Sequence, residues 1–176
     1  MKKLSNDELN RINIEEFKST DKSPFVVVLD NIRSLNNVGS VFRSSDAFLV
    51  NSIYLCGITA QPPHKDIHKT ALGATDSVEW KYFEHTLDAI TNLKELGYKI
   101  ISIEQADDSI FLQDFKLKTD EKYALILGHE VKGVAQEVID ASDYVVEIPQ
   151  FGTKHSFNIS VTTGIVLWEL FRKFKF

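Results

Sequence analysis

Three short segments of the sequence combine glycine with polar or charged side chains, as ligand-binding loops do. The first reads LDNIRSLNNVGSVFRSSDAF and contains Asn37, Gly39 and Arg43. The second, LGHEVKG, has the Glu130 carboxylate between two glycines, and the third, IPQFGTKHSFNIS, ends in serines and an asparagine. Amides, hydroxyls and a carboxylate can orient a polar ligand, and a guanidinium can bind a phosphate through two parallel hydrogen bonds. The segments therefore indicate a small-molecule site, provided that the fold brings them together.

Arg43 has two interpretations when the first segment is read alone. It follows Val41 and Phe42 in a stretch made for packing, about two turns into an expected helix. It could face a ligand at the edge of a sheet. It could equally be a surface arginine whose aliphatic stem covers apolar neighbours while its charge stays in water. The stretch by itself leaves both open.

Each of the three segments begins in an apolar, β-branched run that predicts a buried strand. Continuous apolarity in several such runs is typical of parallel strands covered on both faces. We therefore predict an α/β fold, with a mainly parallel sheet and helices on both faces, whose strand ends carry the site. The predicted strands are 25–29, 52–56, 78–83, 99–103, 123–127 and 144–148, and the predicted helices are 86–96, 134–141 and about 158–175.

The turn after the first strand should begin a helix. Asn36 or Asn37 is expected to cap it by accepting a backbone N–H, and Gly39 would allow close approach of a ligand or a neighbouring backbone. Gly97 lies where a helix C-terminal cap belongs, and Gly164 is small enough for close helix packing.

Other chemical motifs are weak. Gly128 and Gly133 have the spacing of a phosphate loop, but the Lys and Ser/Thr that must follow the second glycine are missing. His64 and His68 could form a metal pair, yet no further ligand lies nearby, and we expect no metal. Cys56 ends an apolar strand and is interpreted as a buried hydrophobic residue rather than a nucleophile.

The composition indicates one globular domain. The chain has 176 residues, 43% of them hydrophobic, and a formal net charge of −5. An acidic balance argues against a protein that binds nucleic acid by broad electrostatics. The start has no apolar signal region, no stretch predicts a membrane span, and a single cysteine suits a reducing compartment. We therefore predict a cytoplasmic protein, with residues 1–23 as an extension too short to be a separate RNA-binding domain.

Taken together, the three segments resemble the SpoU (TrmH-like) family of SPOUT RNA methyltransferases, from about residue 24 to 172. The resemblance lies in the order and spacing of three motifs, with Gly73-Ala74 similar to a further family segment before an edge strand. The motifs are Asn37-x-Gly39-x-x-x-Arg43 followed by Asp46-Ala47-Phe48; Leu127-Gly128-x-Glu130-x-x-Gly133; and Ile148-Pro149 with Ser156-Phe157-Asn158-x-Ser160-x-x-x-Gly164.

This resemblance implies S-adenosylmethionine as the methyl donor and a ribose 2′-hydroxyl of tRNA or rRNA as the acceptor, with a slight preference for tRNA. It also implies a homodimer and a deep trefoil knot in the C-terminal part. By position, the resemblance assigns two groups of site residues. Those bordering the cofactor are Gly128, Gly133, Ile148, Gly152 and Phe157; those that are catalytic or contact the substrate are Asn37, Arg43, Glu130, Ser156 and Asn158.

Two positions depart from the family pattern. His129 stands where asparagine is usual, which is tolerable if the backbone makes the contact, and Phe157 stands where leucine is common.

The sequence is compatible with two roles for Arg43. A guanidinium holds its proton too strongly to be a good base, so phosphate binding is the favoured role and proton removal the second. Two other functions also remain: methylation of a base nitrogen, and a non-catalytic RNA-binding module that kept the fold.

Overall fold

The computed structural model of the chain describes residues 1–5 and 7–176, and its centre is a seven-stranded sheet. The strands are β1 (Ser23–Asp30), β2 (Val50–Cys56), β3 (Glu79–Phe83), β4 (Tyr98–Ile103), β5 (Ile110–Phe111), β6 (Lys122–Leu127) and β7 (Tyr144–Glu147). Their order is β3-β2-β1-β6-β4-β7-β5, and each pairing in the described part of the chain is parallel. The predicted parallel sheet is confirmed. β5 was not predicted, because two residues carry no periodic signal.

Helices connect the strands. A 3-10 helix (Asp7–Leu9) precedes α1 (Ile14–Ser19), α2 (Leu35–Ala47), α3 (Lys65–Ala71), α4 (Ala74–Ser77), α5 (Thr86–Glu95), α6 (Gln136–Asp140) and α7 (Ile159–Lys175). The helices after β1, β3, β6 and β7 agree with the sequence pattern. The sequence pattern did not predict α1, α3 and α4, all of seven residues or fewer, which offer too few turns for a periodicity.

Two hydrophobic clusters cover the two faces of the sheet. Phe25, Val27 and Leu29 of β1 point to the face packed by α2 and α7, whereas Val26 and Val28 point to the face packed by α5. Successive strand side chains alternate between faces, so an uninterrupted apolar strand such as β1 requires helices on both sides. Packing on both faces holds the strands in place, and the polar segments follow the ends of these strands.

Helix α2 begins earlier than the sequence suggested. Its N-cap is Ser34, whose Oγ accepts the backbone N–H of Asn37 at 3.3 Å. The predicted caps, Asn36 and Asn37, are therefore wrong: both lie inside the first turn. Serine is as good an N-cap as asparagine, and it precedes both. The side chain of Asn37 is thereby free for other contacts.

The structure explains why glycine occupies two of the predicted positions, Gly39 and Gly97. A Cβ on Gly39 would lie 2.2 Å from the carbonyl oxygen of Ile67, because α3 packs directly on this point of α2. Gly97 has φ +81° just after α5, as a helix-ending glycine should. Gly164 differs from its prediction: a Cβ there would meet no atom within 4 Å, so in this chain it faces open space.

The last helix, α7, packs against the segment between β5 and β6. The segment between β5 and β6 contributes Leu112 and Phe115 to the same hydrophobic cluster as α7. Near the end of α7, Lys173 Nζ donates hydrogen bonds to the carbonyl oxygens of Leu112 and Phe115, at 2.9 and 2.8 Å. The loop and the last helix are thus held together. Within residues 1–5 and 7–176 no helix has the length and apolarity to cross a membrane.

Candidate active site

A cleft of about 680 Å³ opens where β6, β4 and β7 end side by side. Parallel strands end at the same edge of a sheet, so the loops after β6 and β7 flank the cleft and the end of β4 forms its floor. Most of the residues that the sequence singled out line it. They are Gly128, Glu130, Gly133, Ile148, Ser156, Phe157 and Asn158.

The loop after β6 is folded tightly by its two glycines. His129 and Gly133 exchange backbone hydrogen bonds of 3.1 and 2.8 Å. A Cβ on Gly128 would lie 2.3 Å from the backbone of Gly133, so only glycine fits. Gly133 has φ +68°, a conformation that side chains disfavour. Both glycines therefore shape the wall of the cleft.

His129 replaces the usual asparagine without loss of the turn. Its Nδ1 accepts the backbone N–H groups of Val131 and Lys132, at 3.0 and 3.3 Å. An asparagine side-chain oxygen can accept the same kind of hydrogen bond from the backbone two residues on. The departure from the family motif is therefore compensated by the imidazole.

Glu130 joins this loop to the start of α2. Its carboxylate accepts the backbone N–H groups of Arg33 and Ser34, at 3.1 and 3.0 Å, and the Asn37 side-chain amide at 3.4 Å. Partial burial acts to raise the pKa of Glu130, but the hydrogen bonds from Arg33, from its own backbone, from Ser34 and from Asn37 together outweigh it and lower that pKa. The side chain is an anion held at a helix N-terminus, where an anion is stabilised.

Asn37 also connects α2 to the third segment. Its Oδ1 accepts the side-chain amide of Asn158 at 3.2 Å. Asn158 is the N-cap of α7, and its own Oδ1 accepts the backbone N–H and the hydroxyl of Ser160 at 2.9 and 2.6 Å. The chain of contacts Glu130–Asn37–Asn158 thus joins all three predicted segments at the rim of the cleft.

Arg43 is the ninth residue of α2 and lies outside the cleft. It is exposed, and it forms no hydrogen bond or ion pair with residues 1–5 or 7–176. It follows Asn37 by six residues, which is about 9 Å along a helix axis. All five guanidinium N–H donors are therefore available to a partner from outside the described chain.

Two predicted site residues of the loop after β7, Gly152 and Ser156, form no hydrogen bond within the described part of the chain. Gly152 does not line the cleft, and a Cβ there would meet no atom within 4 Å. Ser156 lines the cleft but forms no hydrogen bond within the described part of the chain. Their positions could not be predicted from the sequence, because the segment between Pro149 and Asn158 has no regular secondary structure.

Glu104 and Gln105 line the cleft and were missed by the sequence interpretation. Glu104 accepts the backbone N–H of Val134 at 2.9 Å, and the Gln105 amide donates to the carbonyl oxygen of His155 at 2.9 Å. They directly follow β4, so their signal was the same as for the other segments: polar residues at the end of a buried strand.

Cys56 is buried, as predicted. Burial raises the pKa of its thiol to about 12, the charge of Asp30 adds to this effect, and a hydrogen bond with Thr86 opposes it. The thiol is therefore not a nucleophile. Among residues 1–5 and 7–176 no group of three or more His, Cys, Asp or Glu side chains is arranged to hold a metal ion.

The chain is similar in sequence to one known protein family. The SpoU rRNA Methylase family matches residues 24–168. An uncharacterized tRNA/rRNA methyltransferase of Borreliella burgdorferi is 30% identical over 91% of this chain and 68% of its own length. A 23S rRNA (guanosine-2′-O-)-methyltransferase of Neisseria meningitidis is 27% identical over 93% of this chain and 65% of its own. The chain thus spans about two thirds of the length of these relatives.

Solved structures are similar in fold. The AdoMet-bound rRNA methyltransferase from Sinorhizobium meliloti superimposes with a TM-score of 0.80 at 25% sequence identity. The match covers 89% of this chain and 59% of that one.

Proposed function

The chain belongs to the SpoU rRNA Methylase family, and on that basis we propose that it is an RNA methyltransferase that uses S-adenosylmethionine to methylate a ribose 2′-hydroxyl. The observation that carries the proposal is the Glu130–Asn37–Asn158 chain of hydrogen bonds. It brings residues of all three motifs together at one rim of the cleft. The described residues would act as one methyltransferase domain.

The cleft fits S-adenosylmethionine in size and character. Its volume of about 680 Å³ lies within the range of sites for molecules of this size. Leu127, Ile148 and Phe157 offer apolar surface for an adenine ring, and Gly128, which has no side chain, lines the cleft with its backbone. When bound, S-adenosylmethionine supplies an electrophilic methyl group. The cofactor-bound relative from Sinorhizobium meliloti supports this assignment.

Arg43 would bind an RNA phosphate next to the reacting ribose. Its guanidinium is exposed and without a partner in the described residues, and it can form two parallel hydrogen bonds with a phosphate. Holding the phosphate would fix the adjacent ribose relative to the cleft. Correct orientation of reacting groups is among the largest sources of catalysis.

Glu130 would position α2 rather than remove the proton of the ribose hydroxyl. Its carboxylate already accepts three N–H groups, which lower its pKa and make it a poor base. Asn37 and Asn158 would orient the ribose, with Ser156 free to contact substrate or cofactor. Transfer of the hydroxyl proton to Arg43 remains the second hypothesis for that residue.

A homodimer is also part of the proposal. Val161 and Trp168 are 49% and 51% exposed on one side of α7, and Gly164 between them leaves open space. An exposed apolar stripe of this kind is typical of a protein interface. The knot that the resemblance implies, in which the segment carrying the third motif threads a loop, is part of the proposal too; the contacts of Lys173 with the segment between β5 and β6 show that the C-terminal helix is bonded to an earlier segment of the chain.

The substrate RNA would be tRNA or rRNA. The relative from Neisseria meningitidis, a guanosine-2′-O-methyltransferase, favours ribose as the acceptor. A base methyltransferase is the enzyme alternative, and a non-catalytic RNA-binding module is the other.

One assay separates these functions. The protein is incubated with radiolabelled S-adenosylmethionine and undermodified RNA, which is then digested with alkali. A 2′-O-methyl group blocks the neighbouring-group attack that cleaves RNA, so label should survive in resistant dinucleotides. Label in mononucleotides would indicate base methylation. Absence of cofactor binding in a titration would favour the non-catalytic module.

A further inference from the structure

Residues 149–157 form very few hydrogen bonds with the rest of the described chain. Phe151 to Phe157 are all exposed. In the chain as described, from 1 to 5 and from 7 to 176, one hydrogen bond joins the segment to other residues: the Gln105 side-chain amide donates to the carbonyl oxygen of His155 at 2.9 Å. The segment carries Ser156 and Phe157 on one wall of the cleft. Its position therefore depends strongly on Gln105.

Gln105 is well placed for such a role. It directly follows β4, which lies between β6 and β7 in the sheet. Glu104, the residue before it, fixes the opposite wall by accepting the N–H of Val134 at 2.9 Å and that of Gln105 at 2.9 Å. The end of β4 thus holds both walls of the cleft through two consecutive side chains. The Glu104 contact also restrains the backbone from which the Gln105 side chain extends.

We propose that Gln105 is a positioning residue for the cofactor, which keeps residues 149–157 against the cleft so that Phe157 and Ser156 meet S-adenosylmethionine. The inference rests on the proposed function. Gln105 acts through the His155 carbonyl and takes no part in methyl transfer. Residues 149–157 exchange between a position against the cleft and a position away from it. Loss of a single hydrogen bond of ordinary strength should shift this equilibrium about fivefold.

The first test needs no cofactor. Gln105→Met keeps the length of the side chain and removes the donor, and Gln105→Glu replaces the donor with an acceptor that faces the His155 carbonyl. Gln113→Met is the matched control, since the Gln113 side chain is exposed and forms no hydrogen bond in the described chain. Trypsin cleavage after Lys154, followed by mass spectrometry, measures how often the segment leaves the cleft.

We expect cleavage after Lys154 to be about fivefold faster in Gln105→Met than in the wild type, at least as fast in Gln105→Glu, and unchanged in Gln113→Met. Cofactor should slow cleavage in every variant. Equal cleavage in Gln105→Met and the wild type would overturn the proposal.

The second test measures catalysis. Gln105→Met should raise the KM for S-adenosylmethionine about fivefold while kcat stays within about twofold, because the cofactor must then order the segment. Faster cleavage with an unchanged KM would also overturn the proposal, because the segment would be held without consequence for the cofactor. If the wild type fails to bind S-adenosylmethionine, the proposed function fails, and the cleavage comparison still decides whether Gln105 holds the segment.

Discussion

The side-chain amide of Asn158 donates a hydrogen bond to Asn37 Oδ1 at 3.2 Å, although the two residues are 121 positions apart in the chain. Asn158 is the N-cap of α7, and Asn37 lies in the first turn of α2. The starts of two helices are thereby joined at the rim of the cleft. Asn158 has two separable tasks, capping a helix with its oxygen and contacting Asn37 with its nitrogen.

Substitution of Asn158 by aspartate should separate these tasks. Asn158→Asp keeps an acceptor for Ser160 and loses the donor to Asn37, so the free energy of unfolding should fall by less than about 1 kcal/mol while methyl transfer falls at least about tenfold. Asn158→Ala should lose the cap as well, and about 1 kcal/mol more stability. Chemical denaturation and a methyl-transfer assay measure the two effects. Full activity of Asn158→Asp would contradict a role for the Asn37 contact.

Removal of Arg43 should abolish methyl transfer and leave the fold unchanged. Arg43 is exposed and forms no hydrogen bond with the described residues, so Arg43→Ala should change the free energy of unfolding by less than about 0.5 kcal/mol. Cofactor binding, measured by calorimetry, should be retained. Near-wild-type turnover of this variant would refute the assignment.

A lysine at the same position distinguishes the two roles of Arg43. If the residue clamps phosphate, Arg43→Lys should mainly raise the KM for RNA, because a point charge replaces a bidentate contact. If it removes the proton, kcat should change instead. Arg11→Lys, the same exchange at an exposed arginine near the N-terminus, is the matched control and should change neither KM nor kcat.

Two glycines that the sequence assigned to the cofactor should respond differently to alanine. Gly133 has φ +68°, and a Cβ there would lie 2.1 Å from a carboxylate oxygen of Glu104. Gly133→Ala should therefore displace the loop and weaken cofactor binding at least about tenfold, a loss of about 1.4 kcal/mol. Gly152→Ala has open space around its Cβ and should bind as the wild type does. Calorimetric titration of both variants tests the difference.

The carboxylate of Glu130 should make stability depend on pH in acid. Its pKa is lowered in the folded protein from the ordinary value of 4.5, so the ionised form stabilises the fold. That stabilisation is complete above about pH 4.5 and is lost as the pH falls through the lower, folded pKa. Glu130→Gln should therefore be less stable than the wild type by about 1–3 kcal/mol near neutral pH, with the gap closing in acid.

Denaturant unfolding between pH 3 and 7 measures this gap. Glu137→Gln is a suitable control, because Glu137 is an exposed carboxylate whose side chain accepts no hydrogen bond in the described chain. The free energy of unfolding of Glu137→Gln should differ little from that of the wild type at every pH. A gap for Glu130→Gln that did not narrow in acid would show that the lost contacts are not those of the ionised carboxylate.

The sequence predicted the sheet and most of the cleft for one physical reason. Buried parallel strands such as β1 and β6 are continuous apolar runs, and their carboxyl ends must share an edge, so polar residues after them meet. Glu130 and Asn158 could therefore be placed together before the structure was known. Glu104 and Gln105 after β4 could have been predicted in the same way. They were missed because the loop that contains them has no glycine to mark it as a binding loop.

Other features could not be predicted because they depend on tertiary contacts. Ser34 caps α2 in competition with two asparagines that are equally good caps, and local propensity does not choose among them. Gly152 looked like a cofactor residue, yet its segment has no regular structure that would fix its direction. Short helices such as α4 are held by packing rather than by a periodic pattern.

Phe157 should contribute to cofactor binding through its apolar ring. It lines the cleft and is 43% exposed, whereas Phe151 in the same segment is 97% exposed and lies outside the cleft lining. Phe157→Asp should weaken binding of S-adenosylmethionine at least about tenfold, because burial of the ring against the cofactor is lost and a carboxylate must be desolvated. Phe151→Asp places the same charge in the same exposed segment and should leave the dissociation constant unchanged. Equal loss in both variants would mean that charge in the segment, rather than contact of Phe157 with the cofactor, sets the affinity.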